Sequence, residues 1–358
     1  MSRVHSFRIY VVQCFPNRQA GNDALSVAAG SATAKRVVDL IVDAHAAGTH
    51  FSSPPAPPAG EPPRASTSIT LGFPAVDDDL VALEVEIGET GSHKSAKRPA
   101  SDPQDLAGWS PEASHYVLIA FPSAGDKFVV VTETIRGRDP MKRLFSRLQE
   151  LDLKRKKASD EAQAAARKSG EKASQQVPYR RLVFRYAQAA DNAYLSDILA
   201  EAKSVTAKFK RYEPSPRGGD RQVVSRTLTI ELRDERGKIA ARDTGKRWLK
   251  QMRGDHSPSR KTGVSELGDV LGSHGFVDEG ETDGYEEATL SVASSDGGRT
   301  TIAVDTLRDV FTYPVSDGRP SVYYYYDKVA PRLSAVAREE GIRVRKLNPK
   351  EIEGWLDG

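Results

Sequence analysis

Positive charge is concentrated in the middle of this 358-residue chain, although its formal net charge is only +3. Residues 136–261 contain 32 Lys/Arg and 16 Asp/Glu, whereas the two flanks together contain 20 and 33. Such a segment must lie largely at the surface, because charged side chains are almost never fully buried unless they are paired. The sequence therefore predicts a polyanion-binding surface between acidic flanks.

Length and composition indicate two domains in the cytoplasm. Hydrophobic residues make up 38% of the chain, which is enough for two cores of ordinary size. The single cysteine, Cys14, excludes an intramolecular disulfide. Arg8 interrupts the first apolar stretch, so no signal-peptide core is present. No apolar run approaches the roughly 20 residues that cross a bilayer.

Hydrophobic periodicity predicts an α+β protein of two domains, each with a mainly antiparallel sheet and packed helices. Residues 1–157 form the predicted N-terminal domain, with a Pro-rich loop at 52–64. Residues 158–178 form a polar helical linker, because this Ala-rich stretch has no apolar face to bury. Residues 179–358 form the predicted C-terminal domain.

Three local expectations concern the second half of the chain. Asp234–Gly237 is expected to form a turn before a helix that begins near Ala240. Ile342–Leu347 alternates like a strand. The run Tyr323–Tyr326 is interpreted as a strand with alternate tyrosines in the core.

The motifs of common enzyme classes do not occur. The sequence has no phosphate loop, dinucleotide fingerprint, nucleophile elbow or clustered zinc ligands, so neither a cofactor nor a metal is predicted. One acid–base set stays open: Asp220, Glu231 and Arg233 follow the layout of metal-dependent nucleases, which place Asp and Glu-x-Lys on adjoining strand positions. Arg233 stands where such enzymes have lysine, and it cannot release a proton. Solvent-facing Glu231 and Arg233 are the alternative, and the sequence favours a non-catalytic protein.

Three groups of basic residues are expected to contact phosphates without reading sequence. They are Arg136, Arg138, Lys142 and Arg143 after the hairpin 115–133; Lys208, Lys210 and Arg211 on a later strand; and Lys246, Arg247 and Lys250 on a helix. In the first group, Arg side chains and backbone N–H groups before a helix N-terminus are expected to approach a phosphate together.

Two other partners stay open at this stage. The acidic segment 278–287 could cover the basic residues of the same chain, and an acidic protein could bind them instead. A solvated surface with no partner is the third alternative.

The order of elements resembles the Rex-type phage exclusion proteins. The hairpin 115–133 leads into a basic helix, Phe209-Lys210-Arg211 precedes a Pro-containing turn, and a strand ends in the run 233–238. The resemblance implies a prophage-encoded cytoplasmic protein that binds double-stranded DNA and aborts infection together with a membrane-protein partner. A homodimer is also open. The expected function is therefore sequence-independent DNA binding in phage exclusion, with a nuclease or another nucleic-acid-directed toxin as the alternative.

Overall fold

A computed structural model describes residues 4–16, 23–52, 66–89, 95–96, 104–105, 112–168, 179–214, 222–252, 259–294 and 299–356. The Pro-rich loop 52–64 lies outside these residues except for Ser52. Residues 169–178 of the predicted linker lie outside them as well, and so does Asp220.

Strands and helices are mixed throughout the chain. In chain order they are β1 (His5–Phe15), α1 (Ala32–Ala46), β2 (His50–Ser52), β3 (Thr67–Leu71), β4 (Ala75–Val76), β5 (Leu80–Glu89), β6 (Ser95–Ala96), β7 (Gln104–Asp105), β8 (Glu112–Ala120), β9 (Lys127–Ile135), α2 (Met141–Lys168), β10 (Val183–Gln188), α3 (Asn192–Ala200), β11 (Ser204–Pro214), β12 (Gln222–Leu232), α4 (Glu235–Met252), α5 (Arg260–Ser273), β13 (Glu287–Ala293), β14 (Arg299–Ala303), β15 (Tyr313–Ser316), α6 (Val322–Glu339) and α7 (Pro349–Leu356).

These elements form two compact units, and the described part of the chain confirms the predicted α+β class. The main unit contains Arg3–Ala187 together with Tyr313–Gly358, and the inserted unit contains Gln188–Thr312. The division differs from the predicted boundaries. The helix α2 continues without a break through the start of the expected linker, and the C-terminal segment belongs with the N-terminal part because β15 pairs with β1.

The main unit is built on a nine-stranded sheet. Its order is β10-β1-β9-β8-β5-β3-β2, with β15 also on β1 and β4 also on β5. The helices α1 and α2 supply apolar residues to a core with one face of this sheet. The helix α6 contacts β1 and β9, and its Tyr325 ring packs against Phe7 and Tyr116. Within the described residues, no helix has both the length and the apolar character that crossing a membrane requires.

The helix α6 contains the tyrosine run, so the predicted strand at Tyr323–Tyr326 is wrong. Ser321 caps the helix, since its hydroxyl accepts from the backbone N–H of Tyr324 at 3.3 Å. Tyr325 and Tyr326 are fully buried, whereas Tyr323 and Tyr324 are exposed. Two adjacent residues of the run therefore face the core, as a helix allows and a strand does not.

Two other local expectations were also wrong. The predicted turn Asp234–Gly237 is the first turn of α4. Asp234 caps that helix, because its carboxylate accepts from the backbone N–H of Gly237 at 2.8 Å. The segment Ile342–Leu347 forms no strand.

A buried carboxylate joins three segments of the main unit. Asp152 on α2 is fully buried and accepts from Arg36 Nε at 2.9 Å, from the Tyr179 hydroxyl at 2.8 Å and from the Leu182 backbone N–H at 2.7 Å. It thereby holds α1, α2 and the segment before β10 together. Removing one partner of a buried ion pair is strongly destabilising, because it leaves the other charge without compensation.

Asp152→Asn should therefore lower the free energy of unfolding of the main unit by about 3 kcal/mol, because Arg36 loses its buried counter-ion. Urea unfolding measures the change. Asp160→Asn is the matched control, since Asp160 forms an exposed ion pair with Lys156 in the same helix and should change stability by less than about 0.5 kcal/mol. Equal effects of the two substitutions would contradict the role of Asp152.

Two more titratable residues are buried in the same sheet. Glu133 on β9 is fully buried and binds His5 Nδ1 at 2.6 Å and the Tyr116 backbone N–H at 3.1 Å. Burial raises the pKa of Glu133 and lowers the pKa of His115, whose Nδ1 lies 3.1 Å from the carbonyl oxygen of Glu133. The folded protein thus binds a proton at His115 less readily than the unfolded chain does.

This difference predicts that stability falls as the pH decreases from the ordinary His value of 6.5 through the lowered folded-state pKa, because protons then favour the unfolded chain. His115→Asn retains a donor at the Nδ1 position and does not titrate. The variant should lose this part of the pH dependence, as urea unfolding at a series of pH values would show. An unchanged pH profile would rule out His115 as its source.

Candidate nucleic-acid interface

The inserted unit is built on a four-stranded antiparallel sheet of order β12-β11-β13-β14. One face is apolar, and α4 and α5 contact the strands that supply it. On the central strand β11, the buried residues Val205, Ala207 and Phe209 point to this face. Lys208 and Lys210 alternate with them and point to the opposite, polar face.

The hairpin of β11 and β12 extends beyond the rest of this sheet. The partner strand β13 pairs with β11 only as far as Lys210, which lies opposite Glu287. Residues 211–214 and 222–226 pair only with each other, and we call them the arm. Apart from partly exposed Tyr212 and from Gln222, whose side chain is not described, the side chains of the arm are exposed. The arm is therefore a two-stranded ribbon whose described side chains are mostly exposed.

Two arginines lie directly opposite each other in the arm. Arg211 on β11 pairs in register with Arg226 on β12, and both side chains are exposed. Within the described part of the chain, neither guanidinium has a carboxylate partner. Like charges directly opposite in an antiparallel pair are destabilising, so this pairing works against the stability of the hairpin.

A bulge fixes this register. The pairing passes from Arg211↔Arg226 to Tyr212↔Val224, which leaves Ser225 as an extra residue on β12. The Ser225 hydroxyl donates to the Arg211 carbonyl oxygen at 3.3 Å. Tyr212 shares the polar face with Lys210, because the two residues lie two positions apart on β11, and the Tyr212 hydroxyl binds Glu287.

The acidic segment 278–287 neutralises one of the predicted phosphate contacts. Glu287 binds Lys210 Nζ at 2.7 Å, and this pair raises the pKa of Lys210. Burial raises the pKa of Glu287, but the ion pair and the hydrogen bonds outweigh it and lower that pKa overall. Glu287 also lies 3.7 Å from Arg260 Nη1. Within the described residues, no ion pair joins this segment to Lys208 or Arg211.

The third predicted group lies on the helical layer. Lys246, Arg247 and Lys250 are exposed on α4, whose Trp248 is buried. Arg247 lies close enough to lower the pKa of Glu266, although burial has the larger, raising effect on that carboxyl. Since α4 contacts the apolar side of the sheet, these residues and Lys208 lie on opposite sides of it.

The first predicted group lies in the main unit and cannot act entirely as expected. Arg136 and Gly137 have φ values of 50° and 81°, as in a type I′ turn, and Arg136 is exposed. The backbone N–H of Arg136 donates to the Val4 carbonyl, and that of Arg138 to the Ile135 carbonyl. These two N–H groups are therefore not available to a phosphate, which corrects the sequence-based expectation.

Asp139 lies in the sequence between Arg138 and Lys142 of this group. Its carboxylate accepts from Arg8 Nη1 and the Tyr10 hydroxyl, each at 2.9 Å, and caps α2 through the Met141 backbone N–H. Lys142 is exposed in the first turn of α2, and Arg143 is partly exposed.

The structure describes two of the three residues in the nuclease-like set. Glu231 and Arg233 form an exposed ion pair of 2.5 Å beside a cavity of about 350 Å³ that Ser204 and Thr206 also line. Asp220 lies outside the described residues. Among the residues that the structure describes, no three His, Cys, Asp or Glu side chains form a group that could hold a metal ion.

Sequence reasoning missed Arg226, which belongs with Arg211. The signal was present only in the strand register, because the immediate neighbours of Arg226 in the sequence of β12 are apolar and hydroxyl residues.

Comparisons with protein-family models, curated proteins and solved structures give no match to this chain. The resemblance to the Rex-type proteins thus depends on the sequence elements alone.

The opposed pair Arg211 and Arg226 leads to a prediction about the stability of the hairpin. Arg226→Glu converts a repulsive cross-strand pair into an attractive one, so it should stabilise the β11–β12 hairpin by up to about 1 kcal/mol. Hydrogen exchange of the β11 and β12 amides measures this locally. Arg299→Glu, at an exposed strand position opposite Ala293, is the matched control and should not protect these amides. A less protected hairpin in Arg226→Glu would contradict the register.

Proposed function

We propose that the inserted unit binds double-stranded DNA without sequence preference and without catalysis, and that the arm makes the main phosphate contacts. One observation carries the proposal: Arg211 and Arg226 lie opposite each other on a projecting ribbon with no carboxylate partner in the described structure. A phosphate between or beside them turns a repulsive pair into two favourable charge contacts. Each guanidinium can also bind phosphate oxygens in a bidentate way.

The surroundings of the arm favour a duplex over unpaired bases. Sequence-independent binding of single strands uses exposed aromatic rings on which bases stack. Here Phe209 is fully buried, and the Tyr212 hydroxyl is held by Glu287. Phosphate contacts alone are sufficient for non-specific duplex binding. Lys208 adds a further cation on the polar face.

The cellular setting of the proposed DNA binding comes from the sequence expectations and the Rex-type resemblance. A cytoplasmic location gives the protein access to DNA, and the role in phage exclusion with a membrane-protein partner stays a prediction of the resemblance. The nuclease alternative gains no support from the exposed Glu231–Arg233 pair, and we do not propose it.

The charge contacts can be measured through salt dependence. For duplex DNA, the slope of log K against log salt is about −0.9 per neutralised phosphate. Arg211→Ala with Arg226→Ala should therefore flatten the slope by about two units. Titration of a fluorescent duplex at several salt concentrations gives both slopes.

The matched control is Lys203→Ala with Arg299→Ala. It removes the same charge from exposed positions at the end of the sheet away from the arm, where Lys203 precedes β11 and Arg299 pairs with Ala293. Its slope should stay at the wild-type value. Equal flattening by the two double variants would mean that net charge alone drives binding, and no binding by the wild type at low salt would end the proposal.

A further inference from the structure

The outer edge of β12 is unpaired in the described structure. This strand forms one margin of the inserted sheet, and no described strand or loop forms backbone hydrogen bonds with its outer side. Proteins usually protect such an edge with Lys, Pro, a bulge or a covering loop, because its free N–H and C=O groups can pair with another strand. Residues 227–232, which we call the open edge, contain no Lys or Pro, and Glu231 is their only charged residue. The bulge lies before them, at Ser225.

The apolar face of the inserted sheet is incompletely covered along this edge. Residues of β11 and β13 that point to this face are buried. Leu228 and Ile230 point to the same face from β12, since they pair with Phe209 and Ala207, but each is only partly buried. Apolar area is thus left at the surface next to the free backbone groups of the open edge.

From these two features we infer that the open edge pairs with the open edge of a second copy of this chain, antiparallel and across a two-fold axis at Thr229. An axis perpendicular to the sheet keeps the apolar faces of both copies on the same side, so the two inserted sheets become continuous. The same residues contribute from both copies, as in other two-fold interfaces. This association does not depend on the proposed DNA binding.

The apolar side chains of the open edge are complementary to themselves in this register. With Thr229 of the two copies opposite each other, Leu228 of each copy lies opposite Ile230 of the other. This is the one register in which both partly buried residues of each copy meet partly buried residues. The neighbouring registers that keep the same faces together place one of them opposite buried Leu232 or exposed Arg226 instead.

The polar side chains of the open edge also suit a second copy. In this register Glu231 lies opposite Thr227, so no like charges face each other across the paired segments. The two arms lie outside these segments and leave them in opposite directions, because the paired strands are antiparallel. Arg226 of the two copies is then separated by six residues, or about 20 Å along the strands at roughly 3.3 Å per residue.

The first test is the mass of the wild-type chain in solution. Sedimentation equilibrium at a series of concentrations should show a reversible species of twice the chain mass. A monomer at every concentration would overturn the inference. Titration of duplex DNA is a separate measurement, so a monomer that binds DNA would leave the proposed function intact.

Charge exchange at Thr229 tests the interface itself. Thr229 is exposed, so Thr229→Lys and Thr229→Glu should fold like the wild type. Each variant alone should associate about fivefold more weakly, because like charges then meet at the two-fold axis. An equimolar mixture of the two should regain at least wild-type association, since Lys then faces Glu. Unchanged association of the single variants, or no recovery in the mixture, would overturn the inference.

Thr301 supplies the matched control. It is an exposed threonine on the same polar face, but it lies on β14, the opposite edge strand of the inserted sheet. Thr301→Lys and Thr301→Glu should each associate like the wild type. Equal weakening by the Thr301 and Thr229 variants would show that added charge alone controls association, which would also overturn pairing through the open edge.

Discussion

The pairing of β11 with two neighbours is the constraint on which the inserted unit depends. Over its first half, β11 pairs with both β12 and β13, and Val205, Ala207 and Phe209 are buried on one face. Pairing with β13 ends at Lys210, although β11 continues to Pro214. The same strand is therefore an anchored core element at one end and an exposed ribbon at the other, and the core half holds the ribbon in place.

This division separates the stabilising contacts of the hairpin from its exposed basic residues. An isolated two-stranded ribbon is marginally stable in water, and repulsion between Arg211 and Arg226 weakens it further. The buried half of β11 offsets this cost, since Phe209 is fully buried and its ring packs edge-on against Tyr285. Exposed cations for a polyanion can thus be placed where the fold gains least from apolar contacts, as is common for binding elements on rigid scaffolds.

The sequence predicted the elements well where periodicity is strong, and poorly where a single local contact decides. The hairpin of β8 and β9 and the alternation of β12 follow directly from their hydrophobic patterns. Four consecutive tyrosines have no period of their own, so the helix is indicated only by their surroundings, namely the cap at Ser321 and the helical spacing of Val322, Val329 and Leu333. The return of β15 to β1 was not predictable, because it joins residues about 300 positions apart.

For the candidate site, the sequence identified residues but not their relations. It placed Lys208, Lys210 and Arg211 on one strand, as the structure has them. It could not show that Glu287 neutralises Lys210 or that Arg226 lies opposite Arg211. Both relations are matters of register between strands, and a shift of one residue would turn Arg226 to the other face of the ribbon. The bulge at Ser225 lies immediately beyond this pair, which makes the arginine pairing a specified feature of the hairpin rather than a consequence of a generally basic composition.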